Sequence, residues 1–280
     1  MKSCNWRLTL VKILFYLIVL ILIIISLLPF YWMAITSFRS TSEIYSQDFS
    51  LWPKNFILTN YIKLIKETNF LIWFKNSWLI ALLTTLLSLF VGCLAAFSLT
   101  RVKYPGKILI SQFILGTYLI PRSLLFIPLY NMLKEIGVLG THLGLVFAYS
   151  TFAVPFCTWL LVSYFKTIPH ELDEAAIIDG CSPLGVLGRI ILPLSLPGIV
   201  TAGIFTFNLA NNEYLYAFTF ISNESLSTLP RGLSSMIMGD VYLWGKLMAA
   251  CLLSSVPLLI LYMFVQKFMV SGLTAGSVKG

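Results

Sequence analysis

Charge is what this chain has least of. Only 11% of its 280 residues are Asp, Glu, Lys or Arg, against about 25% in a soluble domain. Apolar residues make up 58%, and the mean hydropathy is +0.89. Too few polar side chains remain to coat a globule in water. That excludes a soluble enzyme, a secreted disulfide scaffold and a disordered chain. Histidine is scarce too: His142 and His170 are the only two, too few for a His-based metal cluster. The five cysteines, Cys4, Cys93, Cys157, Cys181 and Cys251, are far apart in sequence and form no C-x-x-C pair. They outline neither a zinc site nor a disulfide framework, and inside an apolar run a free Cys is a small hydrophobe. No G-x-x-x-x-G-K-[ST] phosphate loop occurs, so ATP would be handled by another chain. Neither a Gly-x-Ser-Gly nucleophile nor an H-E-x-x-H pair supports an intramembrane enzyme. No catalytic residue, metal or cofactor is expected. The net charge of +8 does not point to nucleic acid, because the 19 Lys and Arg are scattered singly and form no basic stripe.

Long apolar runs are what the chain has in their place. At roughly 20–25 residues per span plus connections, the length holds about six transmembrane helices. Ile13 to Ile35 carries no charge and follows Lys2, Arg7 and Lys12. It is longer than the core of a cleaved signal peptide, about 7–15 residues, and ends in bulky side chains. It reads as an uncleaved first span with a cytoplasmic N-terminus. The mixed stretch 38–73 reads as an extracytoplasmic loop with a short helix near Asn60–Lys66. Span two lies between Lys75 and Arg101. Span three runs from about Ile108 to Tyr130, interrupted by Pro121, Arg122 and Pro128. Span four is Leu143 to Phe165, span five about Gly198 to Ile221, and span six lies between Lys246 and Lys267. The strongest orientation signal is Arg101, Lys103 and Lys107 in one short loop, which marks the cytoplasmic side. Six spans then put both termini in the cytoplasm, with 166–197 a cytoplasmic loop and 268–280 a cytoplasmic tail. The expected class is all-α: one polytopic transmembrane domain over 1–280, in a bacterial plasma (inner) membrane.

The loop between spans four and five is the informative part. Pro169 suits a first helical turn, and Glu171, Asp173 and Glu174 crowd that turn, where the helix dipole favours acids. Gly180 suits a left-handed stop, and Ser182-Pro183 caps a second short helix. Pro193 and Pro197 prevent clean continuation into span five. Two short helices bent at Gly180–Cys181 make a compact knob for a groove on a soluble partner. Ala175 and Ala176 leave a shallow surface, Leu172, Ile177 and Ile178 supply apolar contact, and the acidic rim sets orientation. An amphipathic helix lying on the bilayer is the alternative, but so acidic a segment suits an anionic membrane poorly.

Here the sequence resembles a known family. Glu174-Ala175-Ala176, then Gly180, then Ile190-x-Leu192-Pro193 resembles the Glu-Ala-Ala signature of permease subunits of ATP-binding-cassette importers. Ile127-Pro128-Leu129-Tyr130, Gly137-Val138-Leu139 and the tail Gly272–Gly280 are similar to the carbohydrate branch, related to the second permease subunit of the maltose transporter. The resemblance implies a type I importer permease fold. It also implies a second permease subunit, two ATPase subunits, an external solute-binding protein and a sugar substrate. Glu174, Ala175, Ala176, Asp179 and Gly180 would dock the ATPase, and Gly272, Thr274, Gly276 and Lys279 in the tail would reach the ATPase pair. One departure stands out: where members of the family often have Trp-Asn-Glu in span five, this chain has Asn211-Asn212-Glu213.

Candidates for the substrate path follow from helical spacing. Asn208, Asn211 and Asn212 lie at i, i+3 and i+4, with Phe205 near the same face. Amides beside an aromatic suit sugar hydroxyls and the apolar face of a sugar ring, although Asn in membranes also bonds helix to helix. Arg122 and Glu213 are the other candidates. Counted as straight helices from the cytoplasmic face, both sit roughly 21–23 Å in, so they are expected to pair or to line the same part of a cavity. Gly92, Ala95, Ala96, Ala249 and Ala250 suit close helix packing, while most Phe and Tyr are expected to face lipid or the interface. A phosphorylated polyol such as glycerol phosphate is an alternative substrate. A self-sufficient ion-coupled transporter is the alternative of another class, kept open by Glu213 and Arg122.

Overall fold

The computed structural model describes residues 6–46, 50–238 and 241–275, most of them helical. In chain order the helices are α1 (Trp6–Ser37), α2 (Thr41–Ile44), α3 (Thr59–Glu67), α4 (Phe70–Arg101), α5 (Lys107–Leu119), α6 (Arg122–Glu135), α7 (His142–Phe165), α8 (Glu171–Ile178) and α9 (Pro183–Val186). A π-turn, Leu187–Ile191, leads to α10 (Leu192–Leu194), α11 (Leu196–Asn211), α12 (Leu215–Phe220), α13 (Leu229–Ser234) and α14 (Trp244–Ala275). A two-residue antiparallel pair, β1 (Ile237–Met238) with β2 (Val241–Tyr242), precedes α14.

Among the described residues, four helices are long and apolar enough to cross a membrane, and up to six spans result if each of two bent pairs counts as one. The first pair replaces the straight-helix count used for the interrupted span three. Span three is two helices, α5 and α6, bent by 99° at Ile120–Pro121. Pro121 biases Ile120 toward extended backbone, and Ile120 has ψ 126°. The straight-helix depth count for Arg122 therefore does not carry across the bend: Arg122 opens α6. The stretch through Pro193 and Pro197 bends by 80° before α11, as the prolines predict. Span five breaks between α11 and α12, and α14 runs helically to Ala275, through most of the expected tail.

The chain divides into two compact units. The larger holds Asn69–Ser235 and the chain from Leu258. Its centre is α4 packed along α7, with α11 against both. The close approach has a cause in the sequence: a Cβ on Gly92 would stand 3.0 Å from Cys157 Sγ. Bonds at the two ends show that α4 and α7 run parallel. At one end Asn76 Nδ2 donates to Ser225 O and Ser227 O (2.9 and 3.0 Å), Ser77 Oγ accepts from Leu229 N (2.7 Å), and His142 Nε2 lies 3.1 Å from Leu226 O. At the other, Arg101 bonds Phe165 O. A side chain on Gly198 would overlap the Tyr164 ring, so the start of α11 belongs to that second end.

The smaller unit holds the chain to Thr68 together with Met236–Pro257. Leu10 to Leu28 of α1 present an almost unbroken exposed apolar surface, which suits lipid or an apolar partner rather than water. Asn60 Nδ2 donates to Ser37 O and Arg39 O (2.9 and 2.8 Å), tying α3 to the end of α1. Lys246 Nζ lies 2.6 Å from Glu67 Oε2. This hydrogen bond, reinforced by the charges of Lys246 and Lys63, holds the Glu67 carboxyl below its ordinary value of 4.5. A depressed folded-state pKa contributes stability above the ordinary carboxyl range and loses it as pH falls through the folded value. Lys246→Gln is therefore expected to lower the thermal midpoint in detergent slightly at pH 6, and the gap should close toward pH 3. A gap unchanged across that range would rule the pair out as the cause.

Candidate functional site

The loop between α7 and α11 has the expected local chemistry. Gly180 takes φ +85°, the left-handed stop that ends α8. Ser182 Oγ accepts from Gly185 N at 3.2 Å, and Pro183 opens α9. Pro169 stands ahead of α8, which begins at Glu171, not inside its first turn.

The faces of α8 divide differently from the sequence reading. Glu174, Ala175, Asp179 and Gly180 are exposed, as are Leu172, Ile177 and Ile178, the last at 86%. Ala176 is not part of this surface. It is 6% exposed and packs into an apolar cluster with Cys93, Phe97, Leu161 and Phe165. Asp173 likewise leaves the acidic rim: it is buried, and its Oδ2 lies 3.1 Å from Arg101 Nε. On a helix this short, an inward face reading Asp-x-x-Ala looks no different in sequence from an outward one. Only the position of α4 and α7 decides which face turns in.

The intramembrane candidates gather around an aromatic cluster. Arg122 places its guanidinium 4.1 Å from the centroid of the Phe152 ring, a cation–π contact. Glu213 sits between α11 and α12 and is buried. Its oxygens accept from Tyr216 N (3.1 Å from each) and from Ala217 N (3.3 Å), satisfying orphan donors at the start of α12. The Tyr216 hydroxyl donates to Arg122 O at 3.1 Å. Tyr216 stacks on Phe220 at 5.3 Å and meets Tyr149 and Phe152 at 6.5 and 6.0 Å. Arg122 and Glu213 thus share one neighbourhood, with Tyr216 bonded to both, but among the described residues they form no ion pair within 4.0 Å. The expected pairing is corrected to this: each charge is held by other groups, and Tyr216 touches both sets. Tyr149, Phe152, Tyr216 and Phe220 are buried, exceptions to the expectation that most Phe and Tyr face lipid or the interface. Sequence reasoning missed Tyr149, Phe152 and Tyr216 because α7 and α12 bring them together from distant positions, with no spacing to betray it.

The amide face of α11 turns partly on itself. Asn212 Nδ2 donates to Asn208 O and Oδ1 (2.9 and 2.8 Å), while Asn211 Oδ1 is buried without a hydrogen-bond partner. Phe205 is 38% exposed and meets Phe156 edge-on at 6.4 Å. Gly272 and Thr274 lie in the last turns of α14. Gly276 and Lys279 fall outside the described residues. Among the described residues, no His, Cys, Asp or Glu cluster could hold a metal ion.

Comparison with known proteins adds the following. Residues 88–274 match the model of a family described as the binding-protein-dependent transport system inner membrane component. The chain is 35% identical over 274 residues to the inner membrane ABC transporter permease protein YcjP of Escherichia coli (strain K12), covering 97% of this chain and 98% of that one. It is also 35% identical over 265 residues to the trehalose/maltose transport system permease protein MalG of Thermococcus litoralis, covering 93% and 94%. In fold it is similar to a chain of a bacterial ABC transporter involved in the import of the acidic polysaccharide alginate. That match has a TM-score of 0.80 and 20% identity, and it covers 96% of this chain and 99% of that one.

Proposed function

This chain belongs to the binding-protein-dependent transport system inner membrane components, and from that premise we propose that it is a permease subunit of an ATP-driven sugar importer, forming half of the translocation path. The family makes it a transport subunit of the inner membrane, and the reading of a self-sufficient ion-coupled transporter falls with that membership. A carbohydrate cargo is supported by the trehalose/maltose relative. A phosphorylated polyol has no comparable support.

The observation that carries the mechanism is α8. It is a short helix with acids and large apolar side chains exposed on one face and with its other face packed in the core. Such a helix can take up force from a docked partner and pass it inward. ATP hydrolysis then resides on two separate ATPase subunits docked on this loop and on its counterpart in a second permease, and an external binding protein delivers the sugar. Arg101 supports the orientation. It begins the basic loop with Lys103 and Lys107 and contacts residues 165–173, which favours a cytoplasmic place for both loops. Both termini and the 268–280 tail lie on that side, and 38–73 is extracytoplasmic.

The test is reconstitution. Coexpressed with its ATPase and second permease in proteoliposomes, the chain should support sugar uptake that requires ATP and the binding protein. Uptake by this chain alone, driven by an ion gradient, would overturn the proposal.

A further inference from the structure

We propose that Arg101 is the positioning residue that locks the docking helix α8 to the membrane helices α4 and α7, so that movement of the knob reaches the path. This rests on the ATPase-docking reading above and adds to it how the motion is carried.

Arg101 is the last residue of α4, yet its side chain is only 5% exposed. A buried guanidinium is costly unless its donors are used; both terminal nitrogens of this one are bonded, while Nε meets Asp173 as an ion pair without hydrogen-bond geometry. Nη2 donates to Phe165 O, at the end of α7, at 3.1 Å and to Ile168 O at 2.8 Å. Nη1 lies 2.7 Å from His170 Nδ1. Nε faces Asp173 Oδ2 at 3.1 Å, in the first turn of α8. One planar fork therefore joins the end of α4, the end of α7 and the beginning of α8.

The geometry also says why a lysine would not serve. A single ammonium on a flexible stem cannot reach acceptors on three elements at once. Beneath the fork, Ala176 of α8 packs with Phe97 of α4 and Phe165 of α7. The apolar contact supplies cohesion and the guanidinium supplies direction. Without the fork, α8 can slide over a greasy patch while α4 stays behind. Glu174 and Asp179 face outward and take no part in this lock.

The experiment uses the complete transporter in nanodiscs, with a nitroxide on α4 at exposed Leu94 and a second on α8 at exposed Ile178. Distances are recorded by electron paramagnetic resonance before and after ATP with vanadate. In the unmodified protein the nucleotide is expected to shift the α4 label against a fixed external reference while the Leu94–Ile178 distance stays narrow. Arg101→Gln and Arg101→Lys should keep the ATPase bound and hydrolysing. They should broaden the Leu94–Ile178 distribution and reduce the α4 shift at least twofold. Asp173→Asn leaves the carbonyl contacts of Arg101 in place, so it should give an intermediate loss and add nothing to Arg101→Gln; it also serves if the arginine variants fold poorly. A full α4 shift in Arg101→Gln, or additive losses in the double variant, would overturn the lock. Failure of the unmodified chain to bind ATPase would instead overturn the docking reading, so the two failures are distinct.

Discussion

Reversing one charge on the exposed face of α8, Glu174→Lys, is expected to leave membrane insertion and thermal stability almost unchanged while abolishing recruitment of the ATPase. Glu174 is exposed, and among the described residues nothing in the chain pairs with it. It contributes to its own helix only through the dipole of the first turn, about 0.3–1 kcal/mol at most. At an interface the same carboxylate counts for far more. Losing a buried charge pair costs about 2–5 kcal/mol, and at roughly 1.4 kcal/mol per tenfold that weakens docking about thirtyfold or more. Gly180→Val should act in the same direction by another route. At φ +85° a β-branched residue strains the turn, by about 1–2 kcal/mol, and tilts α9 against α8. Copurification of the ATPase with the tagged permease reads both variants. Normal recovery of ATPase and normal transport with Glu174→Lys would show that the partner sits elsewhere.

The second large effect is expected at Glu213. Its carboxylate, on a buried residue, is the acceptor for two backbone donors at the start of α12. Glu213→Arg removes the acceptor and adds a buried cation, so loss of folded protein in detergent is expected. Glu213→Gln keeps one acceptor oxygen and should cost only about 1–3 kcal/mol, with measurable transport remaining. The geometry also forecasts a failed rescue. Arg122 and Glu213 are not in direct contact, and an arginine at 213 cannot accept from Tyr216 N. Exchanging the two charges, Arg122→Glu with Glu213→Arg, should therefore remain as damaged as Glu213→Arg alone. Partial recovery of transport in the double variant would mean that the charges meet directly during the cycle.

Much of the knob was legible in the sequence because its determinants are local. The left-handed stop at Gly180, the Ser182 cap with Pro183 behind it and the proline bend before α11 each depend on a few consecutive residues. Composition likewise settled the membrane class, since so few charged side chains cannot solvate a globule. The Glu-Ala-Ala signature with Gly180 and Leu192-Pro193 pointed to the family that residues 88–274 match. The bend at Pro121 was legible only in part: the proline marks a break, but a break alone does not say that the chain turns by 99° there.

What the sequence by itself determined about this protein is therefore its solvent, its run of helices and the local stops between them. These follow from hydropathy, capping and backbone sterics, which act over a turn or two. Tertiary structure alone decided which face of α8 turns inward, taking Ala176 and Asp173 from the surface and leaving Glu174 on it. It alone gathered Tyr149, Phe152 and Tyr216 around Arg122 and Glu213, and made the arginine of a basic loop, Arg101, a buried fork between three elements. Helical periodicity says which residues share a face. Only the neighbours that pack against it say what that face meets, and those neighbours lie tens of residues away in the chain.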